Sequence, residues 1–361
     1  MIRIIYYVML IIGLYCLLYN NKSKIAAILI TIGSFFIFAG NNLNSDYNMY
    51  LYSMMSEDYD RYEVGYRLYY SIFNMLGIKD YQITVIVTFI ILGILVWRAS
   101  ERITDNYVVV LFLLLLSEMF IGTVQFRTMI ASVLLFVAIV TYQYGKKRAL
   151  LIAIISSTFQ MVTIFFIPFF IIGLLMKDSW VIKEKGKYGL VIGAFCVYMV
   201  LLLLNNLLHI NIPLIAISFL AHKWGAFEHV TYYFGGTAWG SLLFVGLYFM
   251  NLFTVSYLRE HSKVLNNQYS EIIFNINIYA AFSLVLLFVD MNFYRIFRVL
   301  NLSNYVFIAW NLGLTKKRCV TIRYLKMIGA VCISQLFWIW NYLDRVPEIY
   351  NDIFKNNMWI G

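Results

Sequence analysis

Charge is scarce in this sequence. Asp, Glu, Lys and Arg make up 13% of its 361 residues, against about 25% in soluble domains, which excludes an ordinary soluble globular fold. Only three prolines occur and no low-complexity stretch does, so nothing marks a linker between domains. The four cysteines, Cys16, Cys196, Cys319 and Cys332, have no metal-ligand spacing, and three lie inside apolar runs, where they read as small core hydrophobes. The histidines His209, His222, His229 and His261 likewise lack ligand spacing, and ordinary interfacial residues weigh against one of them serving as a base. No phosphate-cradling glycine loop, dinucleotide fingerprint, zinc motif or nucleophile elbow is present, so cytoplasmic nucleotide hydrolysis is not implied.

Apolar residues fill the space instead, at 62% of the chain. Runs near the ~17–25 residues that cross a bilayer recur along its length. They predict an all-α, polytopic transmembrane protein forming one domain over residues 1–361, with spans near 4–19, 25–40, 81–97, 107–122, 129–144, 188–208, 239–258, 271–289, 299–314 and 327–341. The first run ends in Tyr19-Asn20-Asn21-Lys22-Ser23-Lys24 without a small-residue cleavage signature and reads as a retained span. Residues 149–176 are too long for one crossing and short for two, and Gln160 and Pro168 interrupt them. A hairpin of two short or re-entrant helices fits, since broken backbone at membrane depth is tolerated where protein surrounds it. About twelve membrane passes result.

Orientation follows from the positive-inside bias. The breaks at 20–24, 98–106, 145–148, 177–187, 259–270 and 315–326 hold 18 of the 28 basic residues, against six acidic ones with Glu271 counted among them. The alternate segments hold ten basic and twelve acidic residues, Glu118 included. This alternation requires the 149–176 hairpin to return to the side it left. Both termini then face outward, and the external loops are 41–80 and 209–238. The basic residues are spread over six short loops rather than gathered in a stripe, which excludes a nucleic-acid partner despite a net charge of +10.

The outward side carries the unusual residues. Residues 44–50 read Asn-Ser-Asp-Tyr-Asn-Met-Tyr, followed by Glu57, Asp58 and Asp60 and then Glu63-Val64-Gly65-Tyr66. Tyr62, Tyr66, Tyr69, Phe73 and Leu76 recur at helical spacing, which predicts an amphipathic interfacial helix over 62–77. Tyr47, Tyr50 and Tyr66 beside Asp46 and Glu63 suit a sugar platform, the other reading being an aromatic belt at headgroup level. Arg127 sits between two spans with almost no loop, and Arg295 and Arg298 share one helical face near Asp290. Three outward guanidinium groups could hold a phosphate or diphosphate; the alternative is an Arg295–Asp290 pair with the others snorkelling to headgroups.

The order Asn44-x-Asp46-Tyr47-x-x-Tyr50, Glu63-x-Gly65-Tyr66, Arg127-x-x-Ile130-Ala131, then Lys146-Lys147-Arg148 and a polar break in the next apolar run, resembles the EpsG family of bacterial exopolysaccharide proteins, related in function to Wzy polymerases. The resemblance covers most of residues 40–176 and, more loosely, the later arginine pair. It implies a lipid-diphosphate-dependent, metal-independent glycosyl polymerase without cofactor, in the bacterial cytoplasmic (inner) membrane. Such an enzyme joins undecaprenyl-diphosphate-linked oligosaccharide repeat units on the outer side, for capsule, exopolysaccharide or O-antigen. The bilayer, a chain-length regulator and a flippase of the same pathway are the implied partners. Two departures stand out. Members of that family typically place His in a Phe-His-x-Ser-like context where this chain has Phe159-Gln160, and an Arg-Gln pair where it has Arg127-Thr128. Gln cannot act as a general base, so either another group does or Gln160 only binds substrate.

The expected scheme gives Arg127 a catalytic role in stabilising diphosphate charge with Arg295 and Arg298, and gives Asp46 or Glu63 the acceptor hydroxyl. Tyr47, Tyr50, Tyr66, Gln160 and Asp290 would contact substrate. The competing class is a flippase or other transporter of lipid-linked oligosaccharide, which needs charges or broken helices around a midplane cavity. Here the midspan polar residues are mostly Asn275, Asn277, Asn301 and Asn304. A membrane acyltransferase would need an early histidine, and none precedes His209.

Overall fold

The computed structural model describes residues 2–42, 44, 46–56, 62–175, 184–208, 238–261, 268–288, 291–314, 322–343 and 352–359. Glu57, Asp58, Asp60, Asp290, Cys319 and the 209–237 segment with its three histidines lie outside them. Among the described residues the chain is helical, and the one backbone pairing of strand type is an isolated bridge between Asn41 and Asn357.

The helices are α1 (Ile2–Leu18), α2 (Lys24–Ser34), α3 (Tyr47–Ser56), α4 (Val64–Met75), α5 (Tyr81–Glu101), α6 (Tyr107–Leu113), α7 (Met119–Val124), α8 (Phe126–Tyr142), α9 (Lys146–Phe159), α10 (Ile167–Leu175), α11 (Glu184–Leu208), α12 (Ala238–His261), α13 (Gln268–Ala280), α14 (Arg295–Arg298), α15 (Asn301–Gly313) and α16 (Ile322–Leu343). Irregular turns extend several of them: π-helical at Phe35–Ala39 and Leu114–Glu118, and 3₁₀ at Met161–Phe166, Ala281–Phe288 and Met291–Tyr294. Among the described residues, four helices are long and apolar enough to cross a membrane alone, at Tyr81–Glu101, Gly186–Leu204, Ser241–His261 and Gln268–Leu287, and six other apolar stretches of helix run 10–17 residues. One of these six, Tyr324–Leu336, is part of the longer helix α16. Of the dozen passes expected from apolar runs, four are clear among the described residues.

Of the stretch expected to turn back, residues 149–175 are described and form a hairpin. The backbone N–H of Met161, just past Gln160, reaches Glu63 beyond the end of α8 that carries Arg127. Further on, α10 comes back beside the other end of α8, where a Cβ on Gly173 would lie 1.9 Å from the Tyr142 hydroxyl. The break is local chemistry: α9 stops at Gln160, whose backbone is extended, and the chain resumes as the 3₁₀ run Met161–Phe166, which passes into α10 just before Pro168.

The bundle has two distinct ends. At one, Asn41, the start of α5 and the C-terminal segment meet: Gln82 donates to the Ala39 carbonyl at 2.6 Å and Asn357 to the Phe36 carbonyl at 2.9 Å. Arg3 stacks on Phe354, so the first and last described segments share that end. At the other end, Lys22 pairs with Asp105 at 2.6 Å and Ser23 caps α2 by accepting from the Ala26 N–H.

Lipid-like and protein-like faces separate cleanly. Ile4, Ile11, Ile25, Ile32, Ile90 and Ile94 are exposed, as an apolar solvent allows. Inside, asparagines join helices. Asn277 and Asn304 exchange hydrogen bonds at 2.9 and 3.2 Å between α13 and α15, and Asn251 of α12 donates to Asn301 at 2.8 Å. Each such interhelical bond contributes about 0.6–2 kcal/mol in a membrane. These amides are spent on one another rather than left to line a midplane path.

Candidate functional site

The site grows from the connection after α2. Asn41 donates to the Asn356 carbonyl at 2.9 Å, Asn44 donates to the Asn41 side chain at 2.8 Å, and the Asp46 N–H donates to the Asn44 side chain at 3.1 Å. This relay fixes the backbone at Asp46 just before α3. Among the described residues no group hydrogen-bonds the Asp46 carboxylate. Burial raises its pKa, and the positive charges of Arg295 and then Arg127 oppose that rise.

Glu63 holds the N-cap position of α4 but does not cap it. Its carboxylate instead accepts from the Arg127 guanidinium on one oxygen and, at 3.4 Å, from the Met161 N–H on the other. Gly65 makes this approach possible: a Cβ there would lie 2.2 Å from the Thr158 hydroxyl and 2.8 Å from the Thr158 carbonyl oxygen. Arg127 occupies the first turn of α8, where a cation opposes the helix dipole, so the Glu63 partner offsets an unfavourable placement.

Tyrosines surround the guanidinium. Arg127 Nε donates to the Tyr50 hydroxyl at 3.4 Å, and its Cζ lies 5.0 Å from the Tyr62 ring centre and 5.9 Å from that of Tyr66. Tyr50 and Tyr66 are 2% and 0% exposed, so their faces are covered by neighbouring rings and present no open platform to a sugar. Burial pushes the Tyr50 hydroxyl up to about 12 despite the nearby Arg127 charge. Tyr66 shares a hydrogen bond with Tyr70 at 3.0 Å, and Tyr62 with Ser53 at 2.9 Å. The expected amphipathic face of α4 is thus turned inward: Tyr66, Tyr70 and Phe73 are buried, while Val64, Leu68, Ile72, Met75 and Leu76 are exposed. In lipid the aliphatic stripe is the outer one, because buried hydroxyls need partners that hydrocarbon cannot supply. Tyr47, half-buried, packs its ring against Tyr81 with centres 5.0 Å apart.

Two polar atoms here have no partner among the described residues. Gln160 is 6% exposed and its Oε1 accepts nothing; Arg295 Nε is buried and donates to nothing. Leaving such a group unpaired costs about 1–3 kcal/mol unless water or a ligand supplies the partner.

Arg298 lies one turn beyond Arg295 yet faces elsewhere. It is 2% exposed and donates to Glu118 at 2.9 Å and to Gln125, while Asn301 donates to the second Glu118 oxygen. Its fork is occupied by protein. The structure thus gathers Asp46, Glu63, Arg127, Tyr50, Tyr66, Gln160 and Arg295 at one end, and sets Arg298 apart. Neither Tyr62 nor the two acceptors of Arg298, Glu118 and Gln125, stands out from the sequence as a site residue. Glu118 left a visible signal, as the one carboxylate in the apolar stretch 107–124, and it closes a π-helical turn, a feature frequent at functional sites.

No curated protein and no solved structure matches the chain. A model of the EpsG family matches residues 25–354. That match takes in most of the chain, and the chain belongs to the EpsG family, the family of Wzy-like polysaccharide polymerases.

Proposed function

We propose that this membrane protein polymerises undecaprenyl-diphosphate-linked oligosaccharide repeat units on the outer side of the bacterial cytoplasmic membrane, with the Arg127 end of the bundle facing outward. The observation that carries the reading is the convergence of Arg295 and Gln160, each with an unpartnered polar atom, on Asp46, Glu63 and Arg127. A free guanidinium suits a diphosphate, a free amide oxygen suits a sugar hydroxyl, and a carboxylate without hydrogen bonds suits a proton acceptor.

In this scheme the diphosphate of the donor lies against Arg295, with Arg127 supporting it. Asp46 takes the proton of the acceptor hydroxyl as its oxygen attacks the anomeric carbon. The bond from that carbon to the diphosphate oxygen breaks, and the guanidinium groups hold the charge left on the departing lipid diphosphate. Glu63, with both oxygens engaged, acts by fixing Arg127, and Tyr50, Tyr62 and Tyr66 box that side chain. Tyr47 is the ring left to meet sugar. Arg298 steadies the short helix α14 through Glu118 and Gln125, and Asp290 remains a candidate substrate contact. The scheme uses no metal or cofactor.

The test replaces Arg295 by Lys and by Ala in cells, verifies insertion, and measures surface polymer. Single repeat units at the surface are expected. Polymer of normal length and yield from both variants would remove Arg295 from the reaction, and repeat units trapped inside would favour the flippase instead.

A further inference from the structure

A cavity of about 1070 Å³ lies between α2, α5, α6 and α8 and adjoins the site. Thr128, next to Arg127, and Arg298, one turn from Arg295, both line it, as does Glu118. Its far limit is the opposite end of the bundle, at Lys22 and Asp105. Lys24 and Phe36 stand on its α2 wall, about 18 Å apart along a helix rising 1.5 Å per residue. It is therefore long as well as large.

The cavity opens sideways. Ile28 and Ile32 of α2 and Ile90 and Ile94 of α5 line it and are also exposed on the apolar surface of the bundle. A gap between two helices that is apolar along its flanks, open to the bilayer and lined near the site by the Arg298–Glu118 ion pair fits an extended hydrocarbon chain. A compact polar solute would find few partners along its walls.

We propose that this crevice holds the hydrocarbon chain of a long-chain lipid diphosphate whose head lies at Arg127 and Arg295. The inference rests on the functional reading above and adds where the carrier lipid is bound. Adjacency identifies the occupant: Arg127 and Thr128 are consecutive in the first turn of α8, and Arg295 and Arg298 lie one turn apart in α14, so the same two elements serve the charged site and the cavity wall and place a head group and its chain side by side. An ordinary bilayer lipid has no such reason to enter with its head at the site end.

Gly93 offers the test. It lines the cavity, and a Cβ added there meets nothing within 4 Å. A graded series Gly93→Ala, Gly93→Leu and Gly93→Trp fills the space from a helix position that accepts side chains. Membranes containing each full-length variant are photolabelled with a polyisoprenyl diphosphate bearing a diazirine on its chain, and the labelled peptides are mapped. Label on stretches 24–36 and 89–97 is expected, unchanged by Ala and reduced about tenfold by Trp, the loss of ~1.4 kcal/mol of binding. Excess unlabelled phosphatidylglycerol should not compete. If Gly93→Trp fails to insert, Ile90→Trp fills the same gap from the flank. Label elsewhere, label indifferent to both tryptophans, or equal competition by phosphatidylglycerol overturns the proposal. Because binding is read without turnover, the mapped label with no polymer from a defined repeat unit would sink the polymerase reading alone. Polymer formation with label elsewhere would sink only the chain site.

Discussion

Breaking the Glu63–Arg127 pair should expose how the site is held together. The guanidinium and carboxylate are 20% and 24% exposed, so neither is well solvated, and the Tyr62 and Tyr66 rings cover Arg127. Glu63→Gln leaves that cation without a counter-charge. Breaking a buried pair costs about 3–5 kcal/mol; partial exposure and the amide oxygen that Gln still offers bring the expectation to about 2–3 kcal/mol. Arg127→Met leaves an unpaired carboxylate whose remaining Met161 bond is long, at 3.4 Å, and should cost about as much. The double variant removes both charges, so its loss should fall short of the sum by about 1.5 kcal/mol or more. Unfolding free energies of the four proteins in one detergent or bilayer system give the coupling. Additivity within about 0.5 kcal/mol would refute the pair as a unit.

Other perturbations test separate parts. The polymerisation rate should fall on acidification through the Asp46 pKa, at a pH above the ordinary 3.8, because burial raises that pKa and ionised Asp46 is the proton acceptor. Arg295→Gln removes the larger opposing charge and should move this limb to still higher pH, a shift whose absence in rate profiles would separate the two groups; Asp46→Asn should abolish the limb. Gly65→Ala gains about 0.5–1 kcal/mol of helix propensity yet should lower activity and stability, since its Cβ meets the Thr158 carbonyl; Thr158→Ala, which clears only the hydroxyl, should restore little. Asn277→Ala should cost about 0.6–2 kcal/mol, measured by unfolding, while the Asn277→Leu, Asn304→Leu double variant should be nearer neutral because no amide is left unpaired.

The parts of the fold legible in the sequence were those set by length and charge. A 28-residue apolar stretch with Gln160 and Pro168 inside it is too long for one crossing and short for two, which favours a hairpin, and the positive-inside alternation asked for the same. Helix interruptions elsewhere were not legible, because the π-helical turns at Phe35–Ala39 and Leu114–Glu118 leave the apolar pattern intact. The site motifs were visible as unusual residues at span ends, but not the direction of their side chains. The same 3.6-residue recurrence of Tyr62, Tyr66 and Tyr69 serves a headgroup belt and a buried aromatic box, and only the packing of α4 on α9 decides. Arg298 shows the same limit: its spacing from Arg295 is one turn, yet Glu118, 180 residues away in sequence, claims it.

Purified protein in proteoliposomes, supplied with a defined lipid-linked repeat unit, tests the central claim most directly. Wild type should form a polymer ladder and release lipid diphosphate in step with each bond made, and Asp46→Asn and Arg295→Ala should each slow both by about 100-fold or more. Undiminished rates from both variants, or no polymer from properly folded wild type, would contradict the account.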